Sequence, residues 1–158
     1  MFRKMMRTKQ ALTERECVAL LREQTRGVLS VLGDDGYPYG MPMNHWYCPE
    51  DGRLYFHSGK KGHRSDALRR CGKVSYCVTD QGFRREGEWA LNVKSVIVFG
   101  RAEVVEDHQR ALEVCRCLSR KFTDDEAYID EEIRRAGAGV MVFALVPEHI
   151  SGKLVNES

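Results

Sequence analysis

The chain has 158 residues, the size of one domain, and it is long enough to bury most of its apolar surface without disulfides or metals. Hydrophobic residues make up 42% of the chain and charged residues 30%, which is ordinary for a soluble globular protein. The net charge of +2 is too small to indicate binding to nucleic acid or to an anionic membrane surface.

The cysteines and the N-terminal segment do not indicate a secreted or metal-binding protein. The six cysteines include no C-x-x-C pair of the kind found in zinc sites and redox dithiols, so we expect core thiols and no metal site. The first ten residues, MFRKMMRTKQ, lack the apolar segment of a secretion signal. The longest apolar run, residues 140–146, is only strand-sized. We therefore expect a cytoplasmic protein.

The first half of the chain predicts a helix followed by β-strands. The segment LTERECVALLREQ is typical of a helix that begins after Thr13, with Glu16 completing a capping box. Three apolar runs follow, separated by Asp-Gly turns at residues 35–36 and 51–52, and they predict two successive hairpins in a meander. A short helix is expected from about His63 to Cys71.

Long strands and two further helices are predicted in the second half. KVSYCVT predicts a fourth strand, and NVKSVIVFGRAEVVE predicts a fifth. Residues 96–99 are apolar on both faces of that strand, as expected where a strand is covered on both sides. The segments VMVFALV and HISGKLV predict the last strands.

The predicted helices of the second half follow Asp107, which is placed to cap the first of them. A polar helix around residues 126–135 comes next and is ended by Gly137 and Gly139. The expected apolar stripe of the first helix consists of Ala111, Cys115, Leu118 and Phe122.

Six or seven strands with three to four flanking helices indicate a mainly β, α+β domain that spans residues 1–158. Since most connections are hairpins, the sheet should be antiparallel. A closed barrel is the simplest arrangement, because closure removes exposed sheet edges.

The segment YFHSGKKGHRSDAL joins a strand to a helix through a basic loop flanked by glycines. Glycine lets a backbone approach a ligand closely, and the start of a helix presents free N–H groups at the positive end of the helix dipole. Lys61, His63 and Arg64 add positive charge, and arginine can bind a phosphate through two parallel hydrogen bonds. Composition alone leaves two interpretations open, a phosphate site and a solvated basic loop.

Four segments, YPYGMPMNHWY, LYFHSGKKGHRSDAL, KSVIVFGRAEVVED and HISGK, occur in the order seen in the FMN-binding split-barrel superfamily. Within it, the chain resembles the pyridoxamine 5'-phosphate oxidase-like proteins of the nitroimidazole-resistance (Nim) type, over roughly residues 2–153. The resemblance implies a six- to seven-stranded antiparallel split β-barrel with Greek-key character. It also implies bound FMN and a homodimer with flavin at the subunit interface.

The same resemblance implies a set of cofactor-binding residues. The strand GMPMNHW would run under the isoalloxazine ring, and the basic loop would hold the 5'-phosphate. On sequence alone, Met43 is more simply a core residue, whereas Asn44 needs polar partners if it is buried. Lys94 and Ser95 could also face water at the start of their strand. The implied residues are Pro42, Met43, Asn44, His57, Ser58, Lys61, His63, Arg64, Lys94, Ser95 and Val96.

His57 is the candidate catalytic residue. An isolated histidine in a strand is usually structural. Nim-type proteins, however, carry a histidine in this place, near the flavin face and the substrate pocket, so the resemblance implies a proton donor. The remaining histidines at 45, 108 and 149 lack such a context and are expected to be structural.

The implied function is an FMN-dependent oxidoreductase that passes electrons from NAD(P)H to a small acceptor such as a nitro-aromatic. No nicotinamide-binding fingerprint is present, so NAD(P)H would bind only transiently. The longer C-terminal motifs of oxidases that act on pyridoxamine phosphate are missing after HISGKLVNES, so that activity is not expected. The alternatives are a non-catalytic flavin-binding or redox-sensing protein and a relative that binds haem or a deazaflavin.

Overall fold

In the computed structural model, which describes all 158 residues, seven strands form one antiparallel sheet flanked by four α-helices. The strands are β1 (Arg26–Leu32), β2 (Pro38–Asn44), β3 (Trp46–Cys48), β4 (Arg53–Gly59), β5 (Lys73–Thr79), β6 (Leu91–Val104) and β7 (Val140–Glu157). The helices are α1 (Glu14–Glu23), α2 (His63–Arg70), α3 (His108–Arg120) and α4 (Glu126–Ala136). The predicted fold class is confirmed.

The strands lie in the order β2-β1-β5-β6-β7-β4-β3. After β4 the chain crosses back to β1, where β5 pairs, and this crossing gives the sheet its Greek-key character. No pairing joins β2 to β3, so the ladder is open at one place and the closed barrel favoured by the strand count is not formed. The split barrel implied by the resemblance is confirmed. The two hairpins expected as one meander instead lie at opposite ends of the strand order.

The break between β2 and β3 falls at His45, which is fully buried. Its Nε2 lies 2.7 Å from the carbonyl oxygen of Leu21, and its Nδ1 lies 2.9 Å from the hydroxyl of Tyr76. The backbone N–H of His45 donates to the carbonyl of Thr25, and the backbone carbonyl accepts from Lys121 Nζ. The last two bonds use backbone groups of His45 that a continuous strand would pair with a neighbouring strand. The predicted β-segment is therefore divided here into β2 and β3. His45 is structural, as predicted.

The barrel interior is filled by a cluster of 19 buried residues. Phe56 stacks on Phe143 with ring centroids 5.0 Å apart, and it meets the edge of Tyr76 at 4.9 Å. Such aromatic pairs contribute about 0.5–1.5 kcal/mol beyond the area they bury.

A smaller cluster holds α3 against the outer face of β4 and β7. Val114 and Leu118 are its buried helix residues, and Asp107 caps the helix as predicted. The predicted stripe is wrong at Phe122, which is 55% exposed because α3 ends before it.

The outer face of β6 is only partly covered within one chain, where Phe2 stacks on Phe99 with ring centroids 5.6 Å apart. Val96 and Val98 point into the core and are fully buried, whereas Ile97 and Phe99 are 37% and 40% exposed. The expectation that this strand is covered on both sides is therefore wrong for a single chain.

The local signal at the start of α1 is confirmed, whereas the last strand differs from its prediction. Thr13 and Glu16 form the predicted capping box of α1. The last strand is one element of 18 residues rather than two pieces, with a register shift opposite Phe99 and Gly100. None of the helices is long and apolar enough to cross a membrane.

Candidate functional site

The opening in the barrel borders a cleft of about 540 Å³. β2 is the last strand at one end of the sheet, and β4 pairs with β3 only over residues 53–55. The remaining edges of both strands carry backbone N–H and C=O groups that are available to a ligand. Six of the predicted site residues line this cleft, namely Pro42, Met43, Asn44, His57, Ser58 and Arg64.

Arg64 reaches across the opening from α2. Its Nε donates to Ser58 Oγ of β4 at 2.9 Å, and its Nη1 lies 2.6 Å from Met43 Sδ of β2. The following arginines of α2 pair with aspartates, Arg69 with Asp66 and Arg70 with Asp34, but no carboxylate lies within ion-pair distance of Arg64. Arg64 therefore places an uncompensated positive charge at the cleft.

The first turn of α2 lies beside Arg64 and has no side-chain cap. The preceding residue is Gly62, whose φ of 115° is accessible to glycine but strained for other residues. The other three helices are capped by Thr13, Asp107 and Asp125. The first N–H groups of α2 are thus left for solvent or a ligand, and no acidic cap repels an anion.

The other two basic residues predicted to bind the phosphate do not line the cleft. Lys61 is exposed and has no ion-pair partner. His63 is turned toward the β1–β2 hairpin, where its ring stacks on Tyr39 at 4.2 Å and its Nε2 lies 3.6 Å from Asp34 Oδ2. The structure therefore brings Arg64, but not His63, into the cleft.

The predicted residues on β6 are separated from the cleft within one chain. Two strands, β5 and β1, lie between β6 and β2, which places β6 roughly 14 Å away at about 4.8 Å per strand. Ser95 lies on the outer face near Ile97, and Val96 is fully buried in the core. Lys94 is partly buried on the same strand.

His57 lies on the cleft wall, opposite Val142 in the β4–β7 ladder. Desolvation by the surrounding wall lowers the pKa of His57 below its ordinary value, and the nearby positive charge of Arg64 lowers it further. The residue is also exposed at the mouth of the cleft, where solvent screening limits the effect of Arg64. His57 therefore holds its proton less strongly than a histidine in free solution.

The wall opposite β2 was not predicted. It is formed by Ala136, Gly139 and Val140, where α4 passes into β7, and Lys60 Nζ ties the basic loop to it by donating to the Ala138 carbonyl at 2.7 Å. In the sequence these glycines indicated only the end of a helix. A long-range contact of this kind has no local signal.

Neither tryptophan lines the cleft. Trp46 packs beside Tyr55, with the guanidinium of Arg110 5.8 Å from its ring centroid. Trp89 lies in the loop before β6 and is 75% exposed.

Residues 13–154 match the family model described as pyridoxamine 5'-phosphate oxidase. No protein with a curated description matches the chain. One similar solved structure is a proposed 5-nitroimidazole antibiotic resistance protein from Bacteroides thetaiotaomicron, with a TM-score of 0.77 and 22% identity over 92% of this chain and 87% of that one.

Two further similar structures are described as cofactor-binding proteins. A FAD-binding protein from Mesorhizobium loti has a TM-score of 0.69 and 24% identity, covering 92% of this chain and 97% of that one. A FAD and heme binding protein from Mycobacterium smegmatis has a TM-score of 0.73 and 21% identity, covering 94% and 74%. At these identities the likeness shows a common fold.

Proposed function

Because the chain belongs to the pyridoxamine 5'-phosphate oxidase family, we propose that the cleft binds FMN and that the protein is a flavin-dependent oxidoreductase. The observation that carries the proposal is Arg64, which has no carboxylate partner and lies beside the uncapped start of α2. A terminal monophosphate carries about −1.5 to −2 charges and suits such a site.

The residues at the cleft fit the parts of FMN. Arg64, Ser58 and the first N–H groups of α2 would hold the phosphate, with Lys61 adding charge from the loop. The free edge of β2 would meet the ring with its backbone groups and with Asn44. The amide oxygen of Asn44 accepts from Arg26 Nε at 3.0 Å, so its two N–H donors point away from that bond and are free for a ring acceptor.

When bound, FMN would supply the electron-transfer chemistry between a reduced nicotinamide and a small acceptor such as a nitro-aromatic. The contribution of the chain is to bind and orient the partners and to move a proton. The open mouth of the cleft admits a visiting nicotinamide and then an acceptor. His57, on the wall of the cleft, would donate the proton that the acceptor takes up.

Turnover is tested with purified, FMN-loaded protein under anaerobic conditions. NADH should bleach the flavin absorbance, and a nitro-aromatic acceptor should restore it. Absence of bleaching in protein that retains flavin would contradict the oxidoreductase. It would favour the second candidate, a flavin-binding or redox-sensing protein. A haem absorbance band in place of flavin would contradict both.

Replacing Arg64 with alanine is expected to weaken FMN binding about tenfold or more, because a charge-assisted hydrogen bond to the phosphate is lost. The loss should be smaller at high salt, since the cleft is open to solvent. Quenching of flavin fluorescence measures the affinity. Arg70→Ala is the matched control, because Arg70 lies on the same helix but pairs with Asp34. Equal losses in both variants would indicate a general effect of charge rather than a phosphate site.

We also propose that two copies pair through the outer face of β1, β5 and β6, so that the partner completes the flavin cleft. Val28, Cys77 and Ile97 lie in register across that face, and the exposed fractions of Val28 and Ile97 are 45% and 37%. Exposed apolar side chains in register are typical of an interface, and a C2 dimer is the commonest closed assembly. In such a dimer the Ser95 of the partner could approach the cleft that it cannot reach within its own chain.

Light scattering should therefore report a dimer, and Ile97→Asp should shift it to a monomer with weakened FMN binding. The matched control is Tyr128→Asp, which places the same charge at an exposed aromatic residue on α4. A wild-type monomer that retains flavin would contradict the proposed assembly.

A further inference from the structure

A second cleft lies between the end of β6, the start of α3 and the start of β7. Its volume of about 450 Å³ is within the range of small-molecule sites. Val140 lines both this cleft and the first one. None of the residues implied by the family resemblance lies here.

Part of the wall of the second cleft is aliphatic, and the rest carries charged and polar side chains. Val104 at the end of β6, the following Val105, Ala111 of α3 and Val142 of β7 supply apolar surface. Except for His108, no side chain with a ring lines the cleft, so a flat aromatic ligand would find little to stack on. An aliphatic chain matches these walls better.

Two cations lie on the side of the second cleft formed by the β4–α2 segment. Lys60 donates to the Ala138 carbonyl and has no carboxylate partner. Arg69 donates from Nη2 to the carbonyl of Lys60 at 3.0 Å, and its Nη1 lies 3.6 Å from Asp66 at an exposed site. Lysine has three N–H donors and arginine five, so both side chains retain donors for an anion. The charge of Arg69 is paired with Asp66, whereas that of Lys60 has no carboxylate partner.

Glu106, the acidic residue that lines the second cleft, would determine the orientation of a bound anion by repelling it. Glu106 belongs to the β6–α3 corner, whereas both cations come from the segment between β4 and the end of α2. An anionic group is therefore repelled at the corner and attracted at Lys60 and Arg69, while the apolar part of the ligand lies against the valines.

From this arrangement we infer that the second cleft binds a small aliphatic carboxylate, with the carboxylate on Lys60 and Arg69. Charge-assisted hydrogen bonds to the two cations give selectivity for the anion over a neutral molecule of the same shape. The inference rests on the second cleft alone and does not depend on flavin binding.

The test compares octanoate with octanamide, a neutral analogue of the same chain length, by NMR of protein with ¹³C-labelled methionine methyl groups. Met141 lines the second cleft and Met43 lines the first, so the two signals report on separate sites. Octanoate should shift the Met141 signal and bind about tenfold or more tightly than octanamide. FMN should shift the Met43 signal. Because each ligand is followed by its own signal, absence of binding at one cleft can be distinguished from absence of binding at the other.

Arg69→Ala and Lys60→Ala should each weaken octanoate binding about tenfold, whereas the matched control Arg70→Ala should leave it within about twofold. Equal binding of octanoate and octanamide by the wild-type protein would overturn the inference, and this comparison requires no variant to fold. Octanoate binding that shifts other methionine signals but leaves the Met141 signal unchanged would overturn the inference as well.

Discussion

Replacement of His57 with alanine, at a pH low enough to protonate the wild-type imidazole, should slow the reduction of a nitro-aromatic acceptor by about 10²–10⁴-fold in FMN-loaded protein, the usual contribution of a general acid. The side chain lies on the wall of the cleft, where an acceptor in contact with the flavin would be within its reach. It makes none of the hydrogen bonds that position Arg64. The affinity for FMN should therefore change little.

The pH profile separates proton donation from packing. Desolvation and the charge of Arg64 lower the pKa of His57, so the protonated form is lost as pH rises through that lowered value. The wild-type rate should fall with rising pH in this window, and His57→Gln should remove the dependence because glutamine does not titrate. Stopped flow on protein saturated with FMN gives both rates. A change of less than about threefold, or loss of flavin from the variant, would assign His57 a packing role.

Mild acid should destabilise the fold through His45. Desolvation, and secondarily the charge of Lys121, lowers the pKa of His45 from 6.5 to about 4. In the unfolded chain the imidazole regains its ordinary pKa and binds a proton more strongly than in the fold. The stabilising contribution is therefore complete above pH 6.5 and is lost as pH falls through about 4, an effect of roughly 3 kcal/mol in the free energy of unfolding.

Urea unfolding across this range measures the effect. His45→Gln can still donate to the Leu21 carbonyl but does not titrate, so its stability should depend less on pH between about 4 and 6.5 than that of the wild type. His108→Gln is the control, because this histidine is exposed at the start of α3. The same acid dependence in His45→Gln and the wild type would assign the loss to other groups.

The elements that could be predicted from the sequence are those with local causes. Thr13 and Glu16 lie three residues apart and are hydrogen-bonded to each other, so one short segment of sequence determines where α1 begins. The Asp-Gly turns likewise determine their own hairpins. The opening of the barrel depends instead on His45 meeting Leu21 and Tyr76, which are 24 and 31 residues away along the chain. No local pattern reports such contacts.

The candidate site likewise combines residues that could be predicted from the sequence with placements that depend on the tertiary fold. The resemblance predicted Arg64, Ser58 and Met43 as site residues, and Arg64 contacts both of the others at the opening. His63 belongs to the same basic run but stacks on Tyr39, a residue whose position relative to the loop depends on the tertiary fold. Arg64 lies in the cleft because it reaches across the opening from α2. Composition alone could not distinguish this placement from that of a basic side chain in a solvated loop.

The most direct test of the account is a titration of the apoprotein with FMN, riboflavin and FAD, followed by flavin fluorescence. If the phosphate is held at Arg64 and the start of α2, FMN should bind tightest, and riboflavin should bind about tenfold or more weakly. The difference between FMN and riboflavin should narrow in Arg64→Ala. Equal affinity of the wild-type protein for FMN and riboflavin would contradict the phosphate site and with it the proposed identity of the cofactor.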